Sequence, residues 1–221
     1  MSPTPLPLDT VLPWLDLFGI AVFAATGALA AAGRGQTFVT AAFFALVTGV
    51  GGGTIRDLLI GAPVWWVHHP FVAALCLGVA AIIWVTPQRW WQGQGFDWLD
   101  ALGLAAYAVF GAAKALSFGI PPVPAMLMGV LTACAGGIIR DVLAGEPSIL
   151  MRPELYVTAA ALASGLHVGL TLLGLPLYAA MLAAGASVGG VEHAAVDIAD
   201  IDPGRYAAIW LRSLTTTVEL L

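Results

Sequence analysis

Two short runs place charge inside apolar sequence: Gly-Gly-Thr-Ile-Arg-Asp at 52–57 and Gly-Gly-Ile-Ile-Arg-Asp at 136–141. Consecutive glycines weaken a helix and permit a kink or an unwound turn. Carbonyls freed at such a break can coordinate a cation, while the next half-helix points its positive end at the same place. The candidate ion pathway is therefore Gly51, Gly52, Gly53, Arg56 and Asp57 in the first run, with Gly136, Gly137, Arg140 and Asp141 in the second. Taken singly, these glycines have a plainer use: Gly49 and Gly53 form a GxxxG pair of the kind that packs helices closely. The recurrence of Gly-Gly with Arg-Asp in both places favours the break.

A charge held within a bilayer costs roughly 2.5–3.5 kcal/mol on insertion scales. Arg56, Arg140 and Lys114 must then face a cavity, a partner or, for Arg140, the nearby interface by snorkelling. Helix neighbours point in different directions. The expected ion pairs therefore run between the two runs, Arg56 with Asp141 or Arg140 with Asp57. Lys114, between Ala113 and Ala115, has Ala30 as its counterpart in the first span and is expected to face an aqueous path. There it would feel the transmembrane potential and could gate. His68 and His69 follow Trp65 and Trp66 and read as solvated interface residues rather than metal ligands. Cys76 and Cys134 sit in apolar runs and read as small packing residues. No Ser-His-Asp, paired-carboxylate or metal-ligand spacing stands out, which disfavours an enzyme and implies no metal or cofactor.

The elements that must position these residues are spans. The 221 residues are 60% hydrophobic and 10% charged, with a mean hydropathy of +0.92. Soluble domains carry roughly 25% charged residues. The chain reads as an all-α integral membrane protein with spans near 12–33, 38–60, 70–86, 98–118, 122–145, 154–174 and 176–191. The N-terminus lacks Lys and Arg, so the first apolar run is expected to stay as a span. Trp14, Trp65, Trp66, Trp90, Trp91 and Trp98 fall at the expected interfaces. Seven spans put Arg34, Arg89, Arg152, Arg205 and Arg212 on one face, which the positive-inside rule makes cytoplasmic, with the N-terminus outside and the C-terminus inside. The net charge of -5, with no basic stripe or nucleic-acid motif, argues against nucleic acid as a partner.

The two halves match at an offset of 84 residues. Asp16 matches Asp100, Gly19 matches Gly103, Gly27 matches Gly111 and Gly35 matches Gly119. GGTIRDLLIGAP at 52–63 and GGIIRDVLAGEP at 136–147 agree at eight of twelve positions. Three spans per copy is an odd number, so the second copy enters from the opposite side. The expected architecture is an inverted repeat of two three-helix bundles, residues 1–95 and 96–175, followed by a seventh helix and tail over 176–221. Such repeats characterise proteins that move solutes, with the pathway at the repeat interface.

The paired GGGTIRDLLIGAPVWW and GGIIRDVLAGEPSILMRPELYVTAA resemble the bacterial branch of the trimeric intracellular cation channel family, from about Asp16 to Val188. The resemblance implies a homotrimer in the bacterial inner membrane, with a separate pore in each protomer that conducts monovalent cations, mainly potassium. It further implies that the second and fifth spans bend at their glycines and line the pore. It also implies that Lys114 lies where the family carries basic residues linked to voltage sensing. The chain departs from the family after Gly189, where GVEHAAVDIADIDPGRYAAIWLRSLTTTVELL replaces the expected basic, aromatic tail; no functional site is expected there. Two other readings stand beside the channel: a carrier of a small neutral solute such as glycine, whose carboxylate the arginines would suit, and a scaffold that binds anionic membrane lipids.

Overall fold

The computed structural model describes residues 8–87, 90–91, 94–147 and 156–175, with side chains from 13 in the first helix, 103 in the fifth and 157 in the last. The described residues form helices and no strands: α1 (Leu8–Ala32), α2 (Phe38–Leu59), α3 (Trp65–His68), α4 (Pro70–Val85), α5 (Gln94–Ser117), α6 (Pro122–Ala144) and α7 (Tyr156–Leu172). The first six expected spans correspond to α1, α2, α4, α5, α6 and α7. The seventh, over 176–191, and the tail beyond it lie outside the described residues, as do Arg89, Arg152, Arg205 and Arg212. Three segments are long and apolar enough to cross a membrane, Pro13–Ala32, Phe38–Leu59 and Pro122–Ala144, and α4, Gly103–Ser117 and Val157–Leu172 are shorter apolar helices.

The helix ends follow from local chemistry, and they follow it twice. Thr37 caps α2 by accepting a bond from the Thr40 N–H, and Pro122 opens α6 at the first helical position, where its missing N–H costs nothing. Gly35 and Gly119 close the turns after α1 and α5 with φ of 65° and 76°, and Gly61 and Gly145 close those after α2 and α6 with φ of 70° and 68°. Each pair is separated by 84 residues, and each member adopts the left-handed conformation that glycine takes at a helix C-terminus. The Ala62 N–H donates to the Asp57 carbonyl and the Glu146 N–H to the Asp141 carbonyl, both at 2.9 Å. Arg56 and Asp57 thus sit in the last turn of α2, and Arg140 and Asp141 at the corresponding place near the end of α6.

α1 packs on α2 and α5 on α6, and the halves join through α1 against α5 and α2 against α6. The α2–α6 crossing is backbone on backbone. A Cβ at Gly136 would lie 2.6 Å from the Thr48 carbonyl oxygen, and a Cβ at Gly52 would overlap the Thr132 carbonyl oxygen. Thr48 and Thr132 are themselves 84 residues apart, so the contact is reciprocal about a pseudo-two-fold axis. Between lipid-soluble helices, association rests on close van der Waals packing, which small residues permit. Both α2 and α6 run as continuous helix through Gly51–Gly53 and Gly136–Gly137. The expected unwound turn is therefore not present. The physical reason is that Gly52 and Gly136 are used for approach between helices rather than for release of carbonyls. Cys76 and Cys134 are buried, as packing residues would be.

Gly52→Ala and Gly136→Ala should each destabilise the fold by about 1–3 kcal/mol, the usual cost of overpacking. Gly78→Ala, where an added Cβ meets open space, should be neutral. Thermal unfolding of detergent-purified protein checks this, and equal melting temperatures for all three would refute the crossing.

Candidate functional site

Asp57 sits in the last turn of α2, at the negative end of the helix dipole, where a carboxylate is disfavoured. It is only 2% exposed. Three cationic contacts compensate it, all on Oδ1: Arg56 Nε at 2.8 Å, Arg56 Nη2 at 2.8 Å and Lys114 Nζ at 2.8 Å. The Trp65 backbone N–H points at Oδ2 from 3.5 Å, a weak contact. The Arg56 guanidinium lies 4.6 Å from the Phe110 ring centroid, a cation–π distance. Its Nη1 is buried without a hydrogen-bond partner.

A second carboxylate joins this group. Asp16, on α1, is 6% exposed and lies within Coulombic range of Arg56 and Lys114. Asp16, Arg56, Asp57, Trp65, Trp66 and Tyr107 line a cavity of about 10 Å³, room for about one water molecule. Trp66 Nε1 donates to Thr54 Oγ1 at 2.9 Å, and the Tyr107 hydroxyl donates to the Gly49 carbonyl at 3.1 Å. Two acids and two bases thus meet at one end of the bundle. A groove of about 490 Å³ along α7 is larger but is lined by Leu, Gly, Ala and Met126, which offer no charge to select a solute.

The second Arg-Asp pair lies at the opposite end. Arg140 Nε donates to Asp141 Oδ1 at 3.0 Å, and both residues are buried. Nearby, Arg34 and Glu146 form an exposed ion pair that joins the turn after α1 to the end of α6. Ala30 and Ala144 pack together against Ala31, Ala41 and Phe44 at this end. Ala30 stands where the other repeat has Lys114.

These positions correct the expected pairing. Arg56 does not reach Asp141, and Arg140 does not reach Asp57; each arginine bonds the aspartate next to it. With Thr48 opposite Gly136 and Gly52 opposite Thr132, α2 and α6 run antiparallel. Arg56 and Arg140 then lie twelve residues apart along the bundle, roughly 18 Å at the helical rise. The flexible arginine side chain folds back along its own helix instead. Lys114 is likewise not simply open to an aqueous path, since its ammonium is bound to Asp57 with 15% of the side chain exposed.

Several members of the site were not anticipated. Asp16 served only as a repeat marker, although an acid inside the first apolar run was itself a signal. Tyr107 and Phe110 gave no signal distinct from ordinary aromatic packing. Trp65 and Trp66 are half-buried against the core, while Trp14 and Trp90 are exposed. His68 is exposed, and His69 packs on Trp65 with ring centroids 4.6 Å apart. Among the described residues no three His, Cys, Asp or Glu side chains gather as a metal site.

Comparison with known proteins agrees with this geometry. A family model described as "Glycine transporter" matches the chain twice, over residues 13–88 and 97–172, each end displaced by 84 residues. The chain is 38% identical over 182 residues to a UPF0126 membrane protein of Vibrio cholerae, covering 79% of this chain and 75% of that one. It is 40% identical over 157 residues to the UPF0126 inner membrane protein YadS of Escherichia coli K12, covering 70% and 76%. Its fold matches a trimeric intracellular cation channel orthologue from Rhodobacter sphaeroides with a TM-score of 0.75, at 38% identity over 96% of this chain and 100% of that one. A prokaryotic channel of the same kind in 0.5 M KCl matches with a TM-score of 0.73 at 27% identity, over 80% of this chain and 93% of that one.

Asp57→Asn should cost about 3–5 kcal/mol, because it leaves buried Arg56 and Lys114 without their shared carboxylate. Adding Lys114→Met should recover part of that loss. A double-mutant cycle read by thermal unfolding tests the coupling, and strict additivity would show that Lys114 and Asp57 are not paired.

Proposed function

Because the chain belongs to the bacterial branch of the trimeric intracellular cation channel family, we propose that it is a potassium-permeable channel for monovalent cations, with one pathway in each protomer of a homotrimer. The pathway runs between the two repeats, beside the α2–α6 crossing, and ends at the Arg56–Asp57–Lys114 cluster on one side and at Arg140–Asp141 on the other. In this reading the Arg56 end faces outward and the Arg34 end faces the cytoplasm, in keeping with the basic residues on that face.

The observation that carries the proposal is the shared oxygen of Asp57. With Lys114 bound, Asp16 and Asp57 are balanced by Arg56 and Lys114, and the cavity has room for about one water. A potassium ion finds neither net attraction nor space. Moving Lys114 away leaves two carboxylates facing one guanidinium, an excess negative charge that draws a cation to the mouth. Lys114 lies near the end of α5, so the membrane potential acts on its charge and biases this exchange. The channel is thus closed by the same contact that compensates Asp57.

One observation favours a second reading, a carrier of a small zwitterion such as glycine. Arg56 borders the cavity and its Nη1 is buried without a hydrogen-bond partner, a donor that a carboxylate would satisfy. The cavity does not hold glycine as it stands, so this reading requires the cluster to open first.

Liposomes holding the purified chain should release potassium faster than sodium, pass no chloride, and show no glycine counterflow. Lys114→Gln should raise potassium flux and flatten its dependence on voltage. Saturable glycine uptake with counterflow and no ion current would overturn the channel and leave the carrier.

A further inference from the structure

We infer that Phe23 and Tyr107 form the central plug of the pathway, an aromatic stack on the pseudo-two-fold axis that sets the size of the permeant ion. This rests on the channel reading above. The two residues are 84 positions apart, so each is the other's counterpart in the repeat. Their rings stack with centroids 5.2 Å apart and planes 23° from parallel. Phe23 is fully buried and Tyr107 is 1% exposed.

The seating of the rings is also reciprocal. A Cβ at Gly103 would come within 3.1 Å of the Phe23 ring, and a Cβ at Gly19 would overlap the Tyr107 ring. Gly19 and Gly103 are again repeat counterparts, and both are glycine where the opposing ring needs the space. The stack also touches the other two helices of the crossing. The Tyr107 hydroxyl reaches the Gly49 carbonyl of α2, and Phe23 approaches Gly136 of α6, its ring 3.7 Å from an added Cβ. Residues of α1, α2, α5 and α6 therefore converge on one aromatic pair. Tyr107 forms part of the wall of the charged cavity, so the plug lies directly inward of that cavity. A ring pair of this kind offers a hydrated cation no ligand, and apolar constrictions gate by excluding water.

The pair differs in one atom group. Tyr107 carries a hydroxyl that ties it to α2, while Phe23 has none and can be held only by packing. The hydroxyl–carbonyl bond is thus the polar latch of the plug, and it holds α5 to α2 at the helix that carries Arg56 and Asp57.

Flux from liposomes holding the full chain tests the plug with potassium, methylammonium and tetramethylammonium. Tyr107→Phe keeps the ring and removes the latch, and should raise potassium flux about fivefold, the weight of one neutral hydrogen bond. Phe23→Ala should admit tetramethylammonium, which the unaltered chain should exclude. Phe18→Ala, at an exposed position outside the stack, should change neither. If the unaltered chain conducts potassium while Tyr107→Phe is no faster and Phe23→Ala keeps the same size limit, the plug is wrong and the channel stands. If no form of the chain passes a cation, the channel reading fails and the plug with it. Should Phe23→Ala fail to fold, as judged by size-exclusion chromatography, the volume-neutral Tyr107→Phe decides alone.

Discussion

Two helix backbones meet with no side chain between them where α2 crosses α6, and the separation of the two Arg-Asp pairs follows from that contact. Gly52 lies against the Thr132 carbonyl and Gly136 against that of Thr48. The register is fixed because any Cβ at either glycine would strike backbone, which cannot rotate away. Antiparallel crossing at this register sends the two Arg-Asp pairs to opposite ends. Each aspartate must then be compensated by what its own end supplies, since the matching pair is out of reach.

The two ends share a frame but not their contents. Both Asp57 and Asp141 lie one turn from a left-handed glycine, and both accept a bond from the neighbouring arginine Nε. At one end Lys114 adds a third cationic contact to the same carboxylate oxygen, and Asp16 with two tryptophans and a tyrosine encloses a small cavity. At the other, the position of Lys114 is held by Ala30, and Arg34 is engaged with Glu146 at the surface. An inverted repeat would otherwise make the ends equivalent. The substitution of a single lysine for alanine gives Asp57 a cationic contact that Ala30 cannot give at the other end.

Much of this was legible in the sequence. Apolar length located the helices, because a span demands about twenty apolar residues in a row. The offset of 84 pairs Gly52 with Gly136 as counterparts, but not with what each touches, Thr132 and Thr48, which only the packed helices bring together. The use of the glycines was misjudged. Glycine permits both a break and a close approach, and only the partner helix decides between them; here the partner presents carbonyls at contact distance. The ion pairing was misjudged for a related reason. The divergence of adjacent Cβ vectors holds for short side chains, whereas arginine is long enough to return to Asp57. Tyr107 and Phe23 were invisible because their meaning comes from facing each other, and nothing in an apolar run marks which aromatic lies on an axis.

Compensation and closure are one problem in such a bundle. Asp57 is buried at the unfavourable end of a helix, and a lone carboxylate there would cost several kcal/mol. The contacts that remove this cost are the ones that leave the cavity without net charge and with room for little more than a water. A tighter cluster makes a more stable protein and a more firmly closed path. A conducting state must then give up part of that compensation and replace it with something else. The permeant cation is itself suited to that role, since a potassium ion beside Asp16 and Asp57 restores the positive charge that Lys114 takes away. In the proposed channel, ion entry and lysine departure are therefore alternatives for the same carboxylates, and the closed fold is the state in which the protein supplies its own cation.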